Sequence, residues 1–126
     1  HDCSDGVLAV ALAESCFSNQ VARETFRFVG AAVDLTALSG GAAPGQASPR
    51  LDALLFGETQ SRVVISVAAA DAARVVKQAT IMGVPAAVIG TVGGDTLSVK
   101  TASAEFSAPV AALHDPWWNA IARAMA

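Results

Sequence analysis

Residues 62–89 read RVVISVAAADAARVVKQATIMGVPAAVI, and this stretch decides the fold class. Its opening holds Val63, Val64, Ile65 and Val67, a short β-branched run of the kind that fills a buried strand. Asp71 follows in what reads as a first helical turn, where free N–H groups favour an acid. Ala72, Val75, Val76 and Ala79 then recur at i, i+3, i+4 and i+7, one apolar stripe along a helix. Gly83 and Pro85 end it, because glycine suits the left-handed turn after a helix and proline cannot continue one. Ala86 to Ile89 reads as a second strand. Strand, helix and strand in succession predict an α/β (α+β) domain, a mixed sheet with helices packed on it.

Working outward towards the N-terminus, Ser39 to Arg50 carries Gly40, Gly41, Pro44, Gly45 and Pro49 and reads as a loop, too short to divide two domains. Phe28 to Leu35 reads as a strand and Gln20 to Arg27 as a polar connection. A helix is expected from about Asp5 to Ser18. Ser4 would cap it, and Leu8, Leu12 and their apolar neighbours leave it little polar face, so it should be buried on most sides. Cys16 falls inside this pattern as a small core residue. Towards the C-terminus, Gly93, Gly94 and Asp95 read as the turn of a hairpin that continues through Thr96 to Lys100. Glu105 to Ala108 reads as a further edge strand. A last helix is expected with Asp115 as cap and Pro116 as first residue, its stripe formed by Trp118, Ile121, Ala122 and Met125.

The 126 residues suit a single domain spanning 1–126. Apolar residues make up 53% and charged ones only 15%, where about 25% is usual for a soluble domain. A large core, or a surface covered by another domain, accounts for that. Apolar stretches are interrupted well before the ~18–20 residues that span a bilayer, and no signal-peptide pattern is visible, so no membrane partner is expected. Net charge is −3 with basic residues scattered, which argues against a nucleic-acid partner. Cys3 and Cys16, without metal or disulfide spacing, suggest a reducing, cytoplasmic setting. The chain opens on His1 and not on Met, from which an excised fragment of a longer protein is expected.

Two polar clusters stand out. In the first, His1, Asp2, Cys3, Ser4 and Asp5 precede an apolar helix. They either form an anion or Mg²⁺ site at its amino end, with Asp2 the candidate metal ligand, or simply cap it through Ser4. In the second, Glu58, Thr59, Gln60, Ser61 and Arg62 lead into the β-branched run. Strand alternation would turn Glu58, Gln60 and Arg62 to one side, a set suited to a phosphorylated, polyhydroxyl ligand. The plainer alternative is a turn closed by a Glu58–Arg62 pair. Gly90 to Asp95 lacks the Gly-Lys-Ser/Thr ending of a phosphate loop, so that reading fails. His114 has no identifiable nucleophile nearby, and Trp117 and Trp118 read as packing or as cover for an interdomain contact. No nucleophile–His–acid set is present, so no catalytic residue is assigned.

The segment His1-Asp2-Cys3-Ser4-Asp5-Gly6 with its following helix resembles the opening of the C-terminal domain in the phosphoribosylformylglycinamidine synthase family. Leu55-Phe56-Gly57-Glu58-Thr59-Gln60-Ser61-Arg62-Val63-Val64 and Ile89-Gly90-Thr91-Val92-Gly93-Gly94 are similar to two further segments of that domain, in the same order. Val7 departs from the family's second glycine, and Thr59 replaces a serine while keeping the hydroxyl. The resemblance implies the C-terminal fold of the aminoimidazole ribonucleotide synthase group. It implies a parent ligase of purine biosynthesis that uses ATP and Mg²⁺ to amidate formylglycinamide ribonucleotide, with ammonia from a glutaminase domain or subunit. It further implies that the parent's N-terminal domains carry most ATP and Mg²⁺ ligands, so the fragment alone should be inactive and bind neither tightly. Glu58, Thr59, Gln60, Ser61 and Arg62, with His1, Asp2 and Ser4, match the positions implied to line a substrate or auxiliary nucleotide cleft. The related domains of aminoimidazole ribonucleotide synthase and selenophosphate synthase, or a non-catalytic binding or assembly module, are the alternatives.

Overall fold

The computed structural model describes residues 2–3, 7–18, 27–40, 50–58 and 62–126. In chain order its elements are α1 (Val7–Cys16), β1 (Phe17–Ser18), β2 (Arg27–Phe28), β3 (Ala31–Asp34), α2 (Thr36–Gly40), α3 (Leu51–Phe56), α4 (Ala69–Ile81), β4 (Gly90–Val92), β5 (Thr96–Lys100), β6 (Glu105–Pro109), α5 (Val110–Trp118) and α6 (Ala120–Ala124). One four-stranded mixed sheet runs in the order β4-β3-β5-β6. Strand β3 is parallel to β5, pairing Ala31 with Leu97 and Val33 with Val99, and antiparallel to β4. Strand β6 is antiparallel to β5 and forms the far edge, as the sequence suggested. The expected α/β class therefore holds. Strands β1 and β2 pair separately, Phe17 opposite Phe28.

The core lies on one face of this sheet. Along β5, Leu97 and Val99 are buried while Thr96 and Ser98 are only half-buried, the alternation a strand imposes on its side chains. Val33 and Leu35 join them from the β3 side. Leu8, Ala11, Leu12 and Cys16 of α1 pack on this layer, with Leu54 and Leu55 of α3 and Val110 of α5 closing it. Helix α1 packs against α3, α5 and β1, burying Val7, Leu8, Ala11, Leu12 and Cys16, while Ala9, Val10, Ala13 and Glu14 are half-buried and Ser15 is exposed. Burying each such leucine contributes roughly 1.5–3 kcal/mol, so this layer carries much of the fold's stability. The β5–β6 connection is closed by buried Thr101, whose N–H and Oγ1–H both donate to the Ala104 carbonyl at 2.8 Å. Its Oγ1 in turn accepts from the Ala104 N–H at 3.0 Å.

Several expectations need correction. Arg62 to Val67 is not a buried strand: Val63 makes one isolated antiparallel bridge with Asp2, and Val63, Ile65 and Val67 are 63%, 61% and 45% exposed. β-branched residues fit a strand, but a buried strand needs cover on both faces, and here Val64 packs against the core while Val63, Ile65 and Val67 face outward. Ala86 to Ile89 makes no ladder, and the strand begins one residue later at Gly90, although Ile89 accepts from the Asp34 N–H at 2.7 Å. The hairpin is split. Gly93 to Asp95 does link two antiparallel runs, but β3 lies between β4 and β5. The link crosses the start of β3, with Gly30 N–H donating to Gly94 O at 2.9 Å and Gly93 N–H to Gly30 O at 2.8 Å. Phe28 to Leu35 is accordingly two short strands with Gly30 between them.

The helices also shift. Helix α1 ends at Cys16 and Phe17 enters a strand, while the Ser4 cap and Asp5 lie outside the described residues, as do most of the Gln20–Arg27 connection and of the glycine- and proline-rich loop. Ser39 and Gly40, expected in that loop, close α2. Helix α4 matches its expected span, yet none of its residues is buried. The last helix starts at Val110, so Asp115 and Pro116 sit inside α5 and not at its start. Strand β6 delivers the chain directly into it, and the Val110 N–H finds a partner in Asp95 O at 2.9 Å, so no side-chain cap is required. The buried face is Val110 and His114, whereas Trp118, Ile121 and Met125 are exposed.

Asp115 ties α6 to α5. Its carboxylate accepts from Arg123 Nη2 at 2.6 Å and Asn119 Nδ2 at 2.8 Å. The Arg123 guanidinium, then the Asn119 amide, hold this carboxyl below the ordinary aspartate range. A depressed native value means that the link is intact above the unfolded pKa of about 3.9 and is lost as pH falls through the native value. Carboxyl-carbon NMR should place the Asp115 midpoint below that of a free aspartate, and Arg123→Ala should move it upward. An unmoved midpoint in the variant would refute this linkage.

Candidate functional site

Described residues of the two polar clusters found in the sequence meet. Asp2 bridges Val63, and the Cys3 N–H donates to Arg62 O at 3.0 Å. Residues some sixty positions apart thus form one short antiparallel contact. Cys3 anchors it, its side chain 1% exposed in the core beside Leu8 and Leu54, while Asp2 stays exposed. Among the proposed site residues, Asp2, Glu58 and Arg62 are described. His1, Ser4, Thr59, Gln60 and Ser61 lie outside the described residues.

Helix α3 positions the second cluster. Leu51, Leu54 and Leu55 at i, i+3 and i+4 bury one side of this short helix against α1. Gly57 ends it, its N–H donating to Ala53 O at 3.0 Å. The backbone passes so close there that a Cβ on Gly57 would lie 2.3 Å from that carbonyl, which only glycine tolerates. Glu58 follows directly and is exposed. Half-buried Arg62 returns to the same helix and donates from Nη1 to Leu54 O at 3.3 Å, a cation placed on the carbonyl end of α3. Neither Glu58 nor Arg62 lies in a strand, so the expected alternation of Glu58, Gln60 and Arg62 has no strand there to produce it. One role of Arg62 is therefore to hold the cluster against α3.

What sequence reasoning missed is α3 itself. Six residues make too short a run for helical periodicity to be told from a loop, although Asp52 in the first turn was a signal. Among the described residues no group of three or more His, Cys, Asp or Glu is placed to hold a metal ion. His114 is buried among aromatic rings: Phe17 at 5.3 Å edge-on, Phe28 at 5.0 Å and Trp118 stacked at 5.8 Å. That is packing chemistry. Gly90 to Asp95 is followed by a strand and not a helix, so it makes no phosphate loop.

A mixed sheet with helices on it and a polar edge built from two distant segments define an α/β domain. The family model described as "AIR synthase related protein, C-terminal domain" matches residues 1–102, and the chain belongs to that family. It is 42% identical over 123 residues to "Phosphoribosylformylglycinamidine synthase subunit PurL" of Anaeromyxobacter sp. (strain Fw109-5), covering 96% of this chain and 14% of that protein. The proteins of the same name from Moorella thermoacetica and Synechocystis sp. are 41% and 34% identical, over 79% and 98% of this chain and 11% and 14% of theirs. The chain thus spans about one-seventh of the length of these curated relatives.

Proposed function

We propose that residues 1–126 are one domain of a phosphoribosylformylglycinamidine synthase, the C-terminal partner in a cleft completed by N-terminal domains of the parent. The observation that carries this reading is the pairing of Asp2 and Cys3 with Arg62 and Val63, which joins two of the three family-like segments along one edge. The names of the relatives support the same reading. The parent is an ATP-dependent C–N ligase of purine biosynthesis. It takes ATP and Mg²⁺ largely through its other domains and receives ammonia from a glutaminase domain or subunit. Glu58, with Thr59 and Gln60 next in the sequence, meets the ribonucleotide or an auxiliary nucleotide, and Asp2, bridged to Val63, reaches the same edge from the far end of the sequence. The setting is a reducing cytoplasm: Cys3 and Cys16 are both buried and free, and burial pushes the Cys16 thiol up, away from reactivity. Among the described residues no helix is long and apolar enough to cross a membrane.

The test is an amidation assay on the full-length gene product with formylglycinamide ribonucleotide, ATP, Mg²⁺ and ammonia. The full-length product should turn over and the 126-residue chain alone should not. Losing a charged hydrogen bond to ligand costs roughly 1.5–3 kcal/mol, so Glu58→Ala in the full-length product should lower kcat/KM about ten- to a hundredfold if the edge touches substrate. Turnover by the isolated chain, or a full-length product without this activity, would overturn the proposal. An unchanged kcat/KM in the variant would assign the edge to an auxiliary site.

A further inference from the structure

The sequence sets Arg62 among the ligand-facing groups of the polar edge, yet its side chain runs back to α3. The guanidinium donates from Nη1 to Leu54 O at 3.3 Å, across eight positions, and the residue is half-buried. Its main chain is tied separately: the Arg62 carbonyl accepts from the Cys3 N–H at 3.0 Å, and Val63 beside it bridges to Asp2. Cys3 and Leu54 both belong to the core, so the two ties end on fixed points. Arg62 therefore pins α3 and the N-terminal segment together. Exposed Glu58 stands between the tied residues, just after Gly57 ends α3. A carboxylate on a segment tied at one end samples many positions, and a second tie removes much of that freedom. A guanidinium suits this second tie because it is always charged, and the carbonyl end of a helix carries partial negative charge.

We infer that Arg62 is a positioning residue for Glu58: its side chain ties the chain back to α3 and so fixes where the Glu58 carboxylate meets its ligand, without itself meeting that ligand. The ligand part rests on the synthase reading, whereas the positioning does not. Arg62→Met keeps the apolar stem and the main-chain bond to Cys3 while removing the donor and the charge. In the full-length gene product this variant should lower kcat/KM about tenfold, because a misplacement on the order of 1 Å can cost up to about a hundredfold. With Glu58→Ala already in place, the same substitution should add less than about twofold, since nothing is left to position. Cleavage after Glu58 by a glutamate-specific protease, followed by mass spectrometry, gives a readout that needs no activity. Cleavage after Glu105, also exposed, is the reference that a general loosening would raise as well. Arg62→Met should raise the Glu58 rate relative to the Glu105 rate at least about threefold, as a local opening does. Full additivity of the two substitutions would make Arg62 a ligand contact in its own right and overturn the inference, as would an unchanged ratio of the two cleavage rates. A full-length product without synthase activity, or one indifferent to Glu58→Ala, would instead count against the functional reading of the edge, and the cleavage ratio alone then decides the positioning.

Discussion

Gly30→Ala should destabilise the chain by about 3 kcal/mol, at the upper end of what overpacking costs, because the new methyl has nowhere to go. A Cβ built at Gly30 lies 2.3 Å from Thr96 O, 2.5 Å from Thr96 N and 2.9 Å from Gly93 O. All three are backbone atoms, so no rotamer change relieves the clash. Relief requires moving either the start of β5 or the Gly93–Asp95 link that crosses over β3. Both movements break hydrogen bonds, those joining Gly30 to Gly93 and Gly94 first. Urea unfolding measures the effect as a lower midpoint at unchanged slope. A loss below about 1 kcal/mol, the size of an ordinary point mutation, would mean that the link does not close over Gly30 as described.

Leu35→Ala should cost about 2–5 kcal/mol, the range for emptying a fully buried leucine site. Leu35 is 0% exposed and directly follows β3, its N–H donating to Lys100 O at 2.7 Å. That bond aligns the end of β3 with the end of β5, so the surrounding backbone has little freedom to collapse into the space left behind. Leu38, one turn later in α2, is 47% exposed and is the matched control. Leu38→Ala should stay within about 0.5 kcal/mol, the usual scale for a surface position. Similar losses for the two variants would show that Leu38 is not exposed as described.

Where the fold was legible, the signal was local and long. Helix α4 could be read from the spacing of Ala72, Val75, Val76 and Ala79 and from Gly83 after its last turn. Helix α1 could be read from its continuous apolar run. Strand β6 was visible as a short segment beyond a turn. Where the reading failed, the decision was non-local. Nothing in Gly90–Lys100 announces that β3 will separate its two strands, because strand order depends on which edges meet and not on the residues within one hairpin. Short helices such as α3 lack the length over which a 3.6-residue period can be told from a loop. Asp115-Pro116 carries a good helix-start signal, but the strand before it already delivers the chain in helical register, and the context overrides the signal.

The site divides along the same line. Residue types alone marked Asp2 and Glu58 to Arg62 as candidates, since clustered polar groups flanking apolar elements are readable in one dimension. That these clusters touch, through Asp2 with Val63 and Cys3 with Arg62, appeared only in three dimensions. So did the position of Arg62 on the carbonyl end of α3 and the bond from Trp117 to Glu14. The amino-acid sequence by itself determined the α/β class, the apolar layer that α1 contributes and the chemical character of the polar edge, because these follow from side-chain type and period. The tertiary structure decided the strand order, the exposure of Val63, Ile65 and Val67 and the meeting of the two clusters, because pairing and burial depend on partners that lie far away along the chain.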